Sequence, residues 1–175
     1  MGKGCEHPLD VCMVLSDKPD AFGTPQSALP MEAVSGPVRA LNKEGARQTL
    51  RRAAEAGLVH CVSNNQRELW YICNCCTCGC SILRGISEMG IANAVARSAF
   101  VNRVDEDLCI GCGECLSACQ FNALQVDGTA QVEVMRCVGC GLCVLACPQG
   151  ALGLERRPDE AEPPLTQADW GARRG

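Results

Sequence analysis

Two runs of cysteine with one spacing constrain this chain more than anything else in it: Cys109-x2-Cys112-x2-Cys115-x3-Cys119, then Cys137-x2-Cys140-x2-Cys143-x3-Cys147-Pro148. Three closely spaced thiolates wrap one side of a cubane 4Fe–4S core, and a fourth thiolate from elsewhere closes the cage. In a two-cluster arrangement the fourth cysteine of each run serves the other cluster. The expected ligand sets are therefore Cys109, Cys112, Cys115 and Cys147 for one cluster, and Cys137, Cys140, Cys143 and Cys119 for the other. Because the ligands cross over, neither run completes a site alone. Both runs keep their middle cysteine (Cys112, Cys140), so neither is laid out for a three-iron cluster.

The runs belong to an internal repeat offset by 28 residues, with nine identities in the sixteen positions that align Cys109–Leu124 with Cys137–Leu152. The repeat predicts two pseudosymmetric halves, each a strand, a cysteine loop, a short helix and a strand. The strands are expected at Val101–Val104, Ala123–Val126, Val132–Met135 and Ala151–Glu155. Glycines at 111, 113, 139 and 141 let the backbone turn tightly and aim N–H groups at cluster sulfurs, which favours the reduced, more negative state.

Four segments follow from the rest of the pattern. Residues 1–43 hold five prolines and read as an irregular arm carrying Cys5, His7 and Cys12. Residues 44–99 read as a small helix–hairpin–helix region. Its helix runs from Glu44 to Ala56 with Gly57 as C-cap, its hairpin pairs Val59–Ser63 with Glu68–Ile72 through Asn64-Asn65, and its second helix spans Ser81–Ser98. Ile82, Leu83, Ile86, Met89 and Val95 form the expected buried stripe of that helix. Residues 100–156 are the cluster domain, and 157–175 read as an extended, exposed tail with prolines, able to lie on a neighbour through Trp170. The fold class expected is α+β.

Eight further cysteines, Cys5, Cys12, Cys61, Cys73, Cys75, Cys76, Cys78 and Cys80, are surplus to the two clusters. Adjacent residues in an extended segment project to opposite sides, so Cys75 and Cys76 are poorly placed to serve one ion together. Cys73 with Cys76, or Cys75 with Cys78, has the two-residue gap common at zinc and iron–sulfur sites, and Cys5, Cys12 or Cys61 could complete a set. The alternatives are an additional iron–sulfur centre, a zinc ion, or unliganded thiols. Of the two histidines, His60 beside Cys61 is the better ligand candidate and His7 the poorer.

Charge separates the segments. Residues 101–155 carry two basic and seven acidic side chains, whereas residues 1–100 carry ten basic and nine acidic ones. An acidic cluster domain suits a redox protein partner with a basic docking patch and argues against nucleic acid. Arg47, Arg51 and Arg52 on a helix before a hairpin evoke a winged helix, but no complete helix-turn-helix precedes them, and a solvated face explains them. No apolar run reaches the length of a membrane span, so direct insertion is not expected. Thiolates that ligate iron must stay reduced, which points to the cytoplasm.

Residues 100–156 resemble bacterial-type dicluster ferredoxins, with every expected cysteine present and one departure: Gln120 stands where the family usually has proline. The whole chain is also similar to the C-terminal half of longer bacterial 4Fe–4S proteins, through Gly57-Leu58-Val59-His60, Ile72-Cys73-Asn74-Cys75-Cys76 and Ile82-Leu83-Arg84-Gly85. There it departs at Gly79, where another cysteine is expected. The resemblance implies one-electron transfer, as a carrier or as an electron-input module of an oxidoreductase, with no catalytic residues of its own. The rivals are a reductase, or a redox or iron sensor, acting at Cys73–Cys80. No nucleotide-binding glycine fingerprint or Ser/His/Asp set supports an enzyme.

Overall fold

The computed structural model describes residues 5–16, 39–91 and 98–172, with side chains as far as residue 169. Val95 and the side chain of Trp170 lie outside the described residues.

The N-terminal segment contributes a two-residue strand, β1 (Met13–Val14), where only irregular chain was expected. Helix α1 (Lys43–Glu55) starts where Asn42 caps it, Oδ1 accepting the Gly45 N–H at 2.8 Å. It stops at Ala56-Gly57, with Gly57 in the left-handed region. Its inner face places Ala53 in a small core with Val11, Leu58 and Cys76. On its outer side the Arg52 guanidinium meets the Asp10 carboxylate at 2.7 Å, tying the helix to the N-terminal segment.

Strands β2 (Val59–Val62) and β3 (Tyr71–Cys75) pair antiparallel, and β1 adds to the free edge of β3, giving the order β1-β3-β2. The second hairpin strand thus begins later than expected and carries Cys73 and Cys75 into the sheet. The reason lies in the connection. The chain at 63–70 is not a tight turn, because the Gln66 and Arg67 amides are engaged by the Pro164 and Leu165 carbonyls, both at 2.9 Å. The tail, expected to be an exposed segment, is docked here along the connection before α5 (Gln167–Ala172).

Helix α2 (Ser81–Met89) follows Cys80 and ends at Gly90, whose left-handed conformation stops it short of the expected Ser98. Its buried face is also narrower than expected: Leu83 is buried and Ile86 partly so, but Ile82 and Met89 are exposed.

The cluster domain closes on itself through its outermost strands. β4 (Phe100–Val104) pairs antiparallel with β7 (Leu152–Arg156), while β5 (Leu124–Asp127) pairs with β6 (Thr129–Val132) across Gly128. Two short helices, α3 (Glu114–Ala118) and α4 (Leu142–Ala146), lie between them. The strand expected at Val132–Met135 is displaced towards the N-terminus. The single-glycine turn at Gly128 starts β6 at once, and Glu133 then accepts the Arg136 and Cys137 amides at 3.0 Å to form the turn leading into the second cysteine run.

One apolar cluster spans both regions of the chain: Val59 and Leu83 from the hairpin and α2 pack with Phe121, Ala123 and Leu142 of the cluster domain.

Candidate metal centres

Cys109, Cys112, Cys115 and Cys147 line one cavity of about 330 Å³, walled otherwise by apolar and backbone groups including Val126, Ala130, Ala151 and Leu152. The loop Cys109–Cys115 supplies three thiols, and Cys147, just past the end of α4, arrives from the opposite side. At the first loop Gly111 has φ +65°, and a Cβ there would run into the Gly128 carbonyl oxygen, so no other residue fits this approach. The Ala130 N–H donates to Cys109 Sγ at 3.3 Å. Burial pushes the Cys115 thiol up. Burial also opposes the Cys147 thiolate, yet the backbone N–H groups of Ala151, Gln149, Leu152 and Gly150 outweigh it and hold that thiol below its ordinary value.

A second cavity, about 360 Å³, is lined by Cys137, Cys140, Cys143 and Cys119. Gly139 repeats the requirement of Gly111, because a Cβ there would collide with the Phe100 carbonyl. The Ala123 N–H donates to Cys119 Sγ at 3.3 Å. Burial pushes the Cys143 thiol to about 12 and raises that of Cys140. Asn102, on β4 and almost wholly buried, donates its side-chain N–H to Cys143 Sγ at 3.1 Å. Sequence reasoning missed this residue. The available signal was a neutral polar side chain following Val101 in the strand that borders the repeat.

The donor sets suit the groups that the spacing implied. Each cavity offers four thiols, largely apolar walls, and N–H groups directed at sulfur, which is what an iron–sulfur cubane requires of a protein.

The remaining eight cysteines do not form one site. Register puts Cys61 opposite Cys73, and Cys75 lies two residues further along β3, so these three share a face. With Cys80, Cys61 and Cys75 pack on the shared apolar cluster beside Cys119, Cys137 and Cys140. Burial and the neighbouring thiols push Cys61 to about 11 and Cys75 to about 12, and Cys73 upward as well. Cys12 is close enough to Cys73 and Cys75 to add to their shifts.

Cys76 leaves the strand on the opposite side and meets Cys5 and Cys78. The three sulfurs are 3.3 Å (Cys5–Cys76), 2.8 Å (Cys76–Cys78) and 3.6 Å (Cys5–Cys78) apart. The expected pairings of Cys73 with Cys76 and of Cys75 with Cys78 are thus replaced by a division between the two faces of the strand. The ranking of the histidines is reversed too. His7 joins Cys5, Cys76 and Cys78, whereas His60 is engaged by the Asn74 side chain on the face away from Cys61 and Cys73.

Gln120 acts through both its side chain and its backbone oxygen. Its Oε1 accepts the Thr77 N–H at 2.7 Å, and its Nε2 donates to the Gly57 carbonyl. Ser87 Oγ donates to its backbone oxygen at 2.7 Å. The residue following Cys119 therefore joins the cluster domain to α1, α2 and the turn between Cys76 and Cys78.

No helix among the described residues is long and apolar enough to cross a membrane. A search of the curated proteins found no match to the chain. Residues 102–154, less than a third of the chain, match the family described as "4Fe-4S dicluster domain", and this part of the chain is a dicluster domain of the ferredoxin type.

Proposed function

We propose that this protein carries single electrons through two 4Fe–4S clusters, as a free carrier or as the electron-input module of an oxidoreductase. Cys109, Cys112, Cys115 and Cys147 hold one cluster; Cys137, Cys140, Cys143 and Cys119 hold the other. Each cluster supplies one-electron redox chemistry when bound. The protein's own residues fix its ligands, exclude water and set its potential through N–H donors. The observation that carries this reading is the pair of cavities, each lined by three thiols of one run and the fourth of the other. Sharing of α3 and α4 ends between the two sites supports a pseudosymmetric relay in which electrons enter at one cluster and leave at the other. The acidic surface of residues 101–155 favours a redox partner with a basic face, in the cytoplasm, and disfavours nucleic acid.

Iron and acid-labile sulfide counts on anaerobically purified protein, with EPR after reduction, test the reading. About eight irons per chain are expected from these two sites. Replacing Cys119 with Ala should damage the cluster at Cys137–Cys143 and spare the one at Cys109–Cys115. The opposite pattern would show that each run closes its own cage.

A second reading, an additional redox centre, is favoured by the thiols of Cys61, Cys73, Cys75 and Cys80, with Cys12 near them. Cys140 of the second cluster set is near enough to raise the Cys61 thiol, and both pack on one apolar cluster. A third iron–sulfur centre there would lengthen the relay or provide a reducing or sensing site. Iron in excess of the two clusters, lost in Cys75→Ser, is the result it requires.

A further inference from the structure

The geometry points to a second kind of metal site: a single zinc ion held by Cys5, His7, Cys76 and Cys78, which staples the N-terminal segment to the turn after β3. The three sulfurs and a ring nitrogen of His7 all lie within 4.8 Å of one another, the one group among the described residues that closes to this spacing. Four tetrahedral donors at zinc bond lengths lie about 3.3–3.8 Å apart. The sulfurs here, separated by 2.8 to 3.6 Å, need move by about 1 Å at most to meet it. A cubane interposes its whole body between its thiolates, and this set leaves no room for one.

Three cysteines and one histidine are a donor set of structural zinc, closed to a fifth ligand. Zinc replaces the three thiol protons, which pass to solvent. Three thiolates, a neutral imidazole and the divalent ion then carry a net charge of −1. The backbone is arranged around such charge. The Gly79 N–H donates to Cys76 Sγ at 3.3 Å. A Cβ at Gly79 would lie 3.4 Å from that sulfur and 3.8 Å from Cys5 Sγ, so the glycine lies directly against the site.

The staple has a mechanical purpose. Residues 5–14 are also attached through the two-residue β1, the buried Val11 and Met13, the Asn74 side chain donating to the Val11 carbonyl, and the Asp10–Arg52 pair. Val11 and Cys5 of this segment pack with Ala53 of α1, Leu58 and Cys76, while Cys12 lies near Cys73 and Cys75. Between two of the zinc ligands, the Thr77 amide is bonded to Gln120, the residue after Cys119. The ion therefore secures a turn bonded to the residue that follows the second cluster's crossing ligand, without itself taking part in redox chemistry.

The test uses the full chain, produced anaerobically with both iron and zinc supplied, and measures each metal by mass spectrometry and the zinc environment by X-ray absorption. One zinc per chain with a shell of three sulfurs and one nitrogen is expected. It should be lost in Cys5→Ser and Cys78→Ser with iron unchanged, and retained in Cys12→Ser. Because a variant could fail to fold, the native protein is also probed by thiol alkylation. Cys5, Cys76 and Cys78 should be protected, and should become reactive on chelation while the clusters' absorption persists. Absence of zinc, iron in its place, a zinc shell that survives loss of Cys5, or a Cys76–Cys78 disulfide would each overturn the assignment. Missing iron would instead count against the electron-transfer reading, so the two failures are separately visible.

Discussion

Asn102 is nearly buried, and its one resolved side-chain partner is the sulfur of Cys143. A hydrogen bond to a thiolate strengthens as the cluster gains an electron, so it stabilises the reduced state and raises the potential. Asn102→Leu fills the same space without the donor. The cluster at Cys137–Cys143 should then titrate at a lower potential, by on the order of 60 mV if the bond differs by about 1.4 kcal/mol between redox states. The cluster at Cys109–Cys115 serves as an internal control. An unchanged pair of potentials in a spectroelectrochemical titration would show that the contact is merely structural. Gln120 gives a second test at this scale. Gln120→Ala leaves the Thr77 N–H and the Gly57 carbonyl without their partner, a loss of roughly 1–3 kcal/mol. Hydrogen exchange should quicken around Gly57 and Thr77, while the iron content stays the same.

At the level of elements, the cysteine loops depend on close backbone approaches rather than on side-chain packing. Gly139→Ala would drive a methyl group into the Phe100 carbonyl and would also have to adopt φ +70°. The loop should fail to close, with loss of the second cluster's absorption and EPR signal on purification. Gly90→Ala is the contrasting case: at φ +66° with nothing near its Cβ, it should cost about 1 kcal/mol in thermal stability and no iron. These loops were legible in the sequence because four thiols and two glycines at fixed offsets admit few backbone paths. Element boundaries were less legible. The displaced β6 was foreseeable, since moving β4 (Phe100–Val104) along by the 28-residue repeat lands on 128–132, the turn glycine and β6 itself. The apolar Val132, Val134 and Met135 suggested a later strand, but Val134 and Met135 are exposed in the turn. The late start of β3 was not foreseeable, because it depends on the tail's carbonyls, about a hundred residues further along the chain.

Across the whole molecule, the two cluster cavities differ in what protects them. The first is lined by the cluster domain's own Val126, Ala130, Ala151 and Leu152. Beside the second, Phe121, Ala123 and Leu142 are buried partly by Val59 and Leu83 from the preceding region. Arg136 adds to this join by donating to the Phe121 and Ser87 carbonyls at 2.9 and 3.3 Å. The division of the eight extra thiols between two faces was only half legible. Alternation along an extended segment separates Cys75 from Cys76, but which distant cysteines meet each face is a matter of tertiary packing. The same packing makes a chain beginning at residue 99 an informative variant. It retains all eight cluster cysteines, so reconstitution should load both clusters with about eight irons. It also exposes Phe121 and Leu142, each worth about 1.5–3 kcal/mol of burial, beside Cys137 and Cys140. The second cluster should therefore bleach faster in air than in the full chain, and the first at an unchanged rate. Equal bleaching of both would mean that the N-terminal region shields neither cluster and that the shared apolar cluster does not bear on cluster stability.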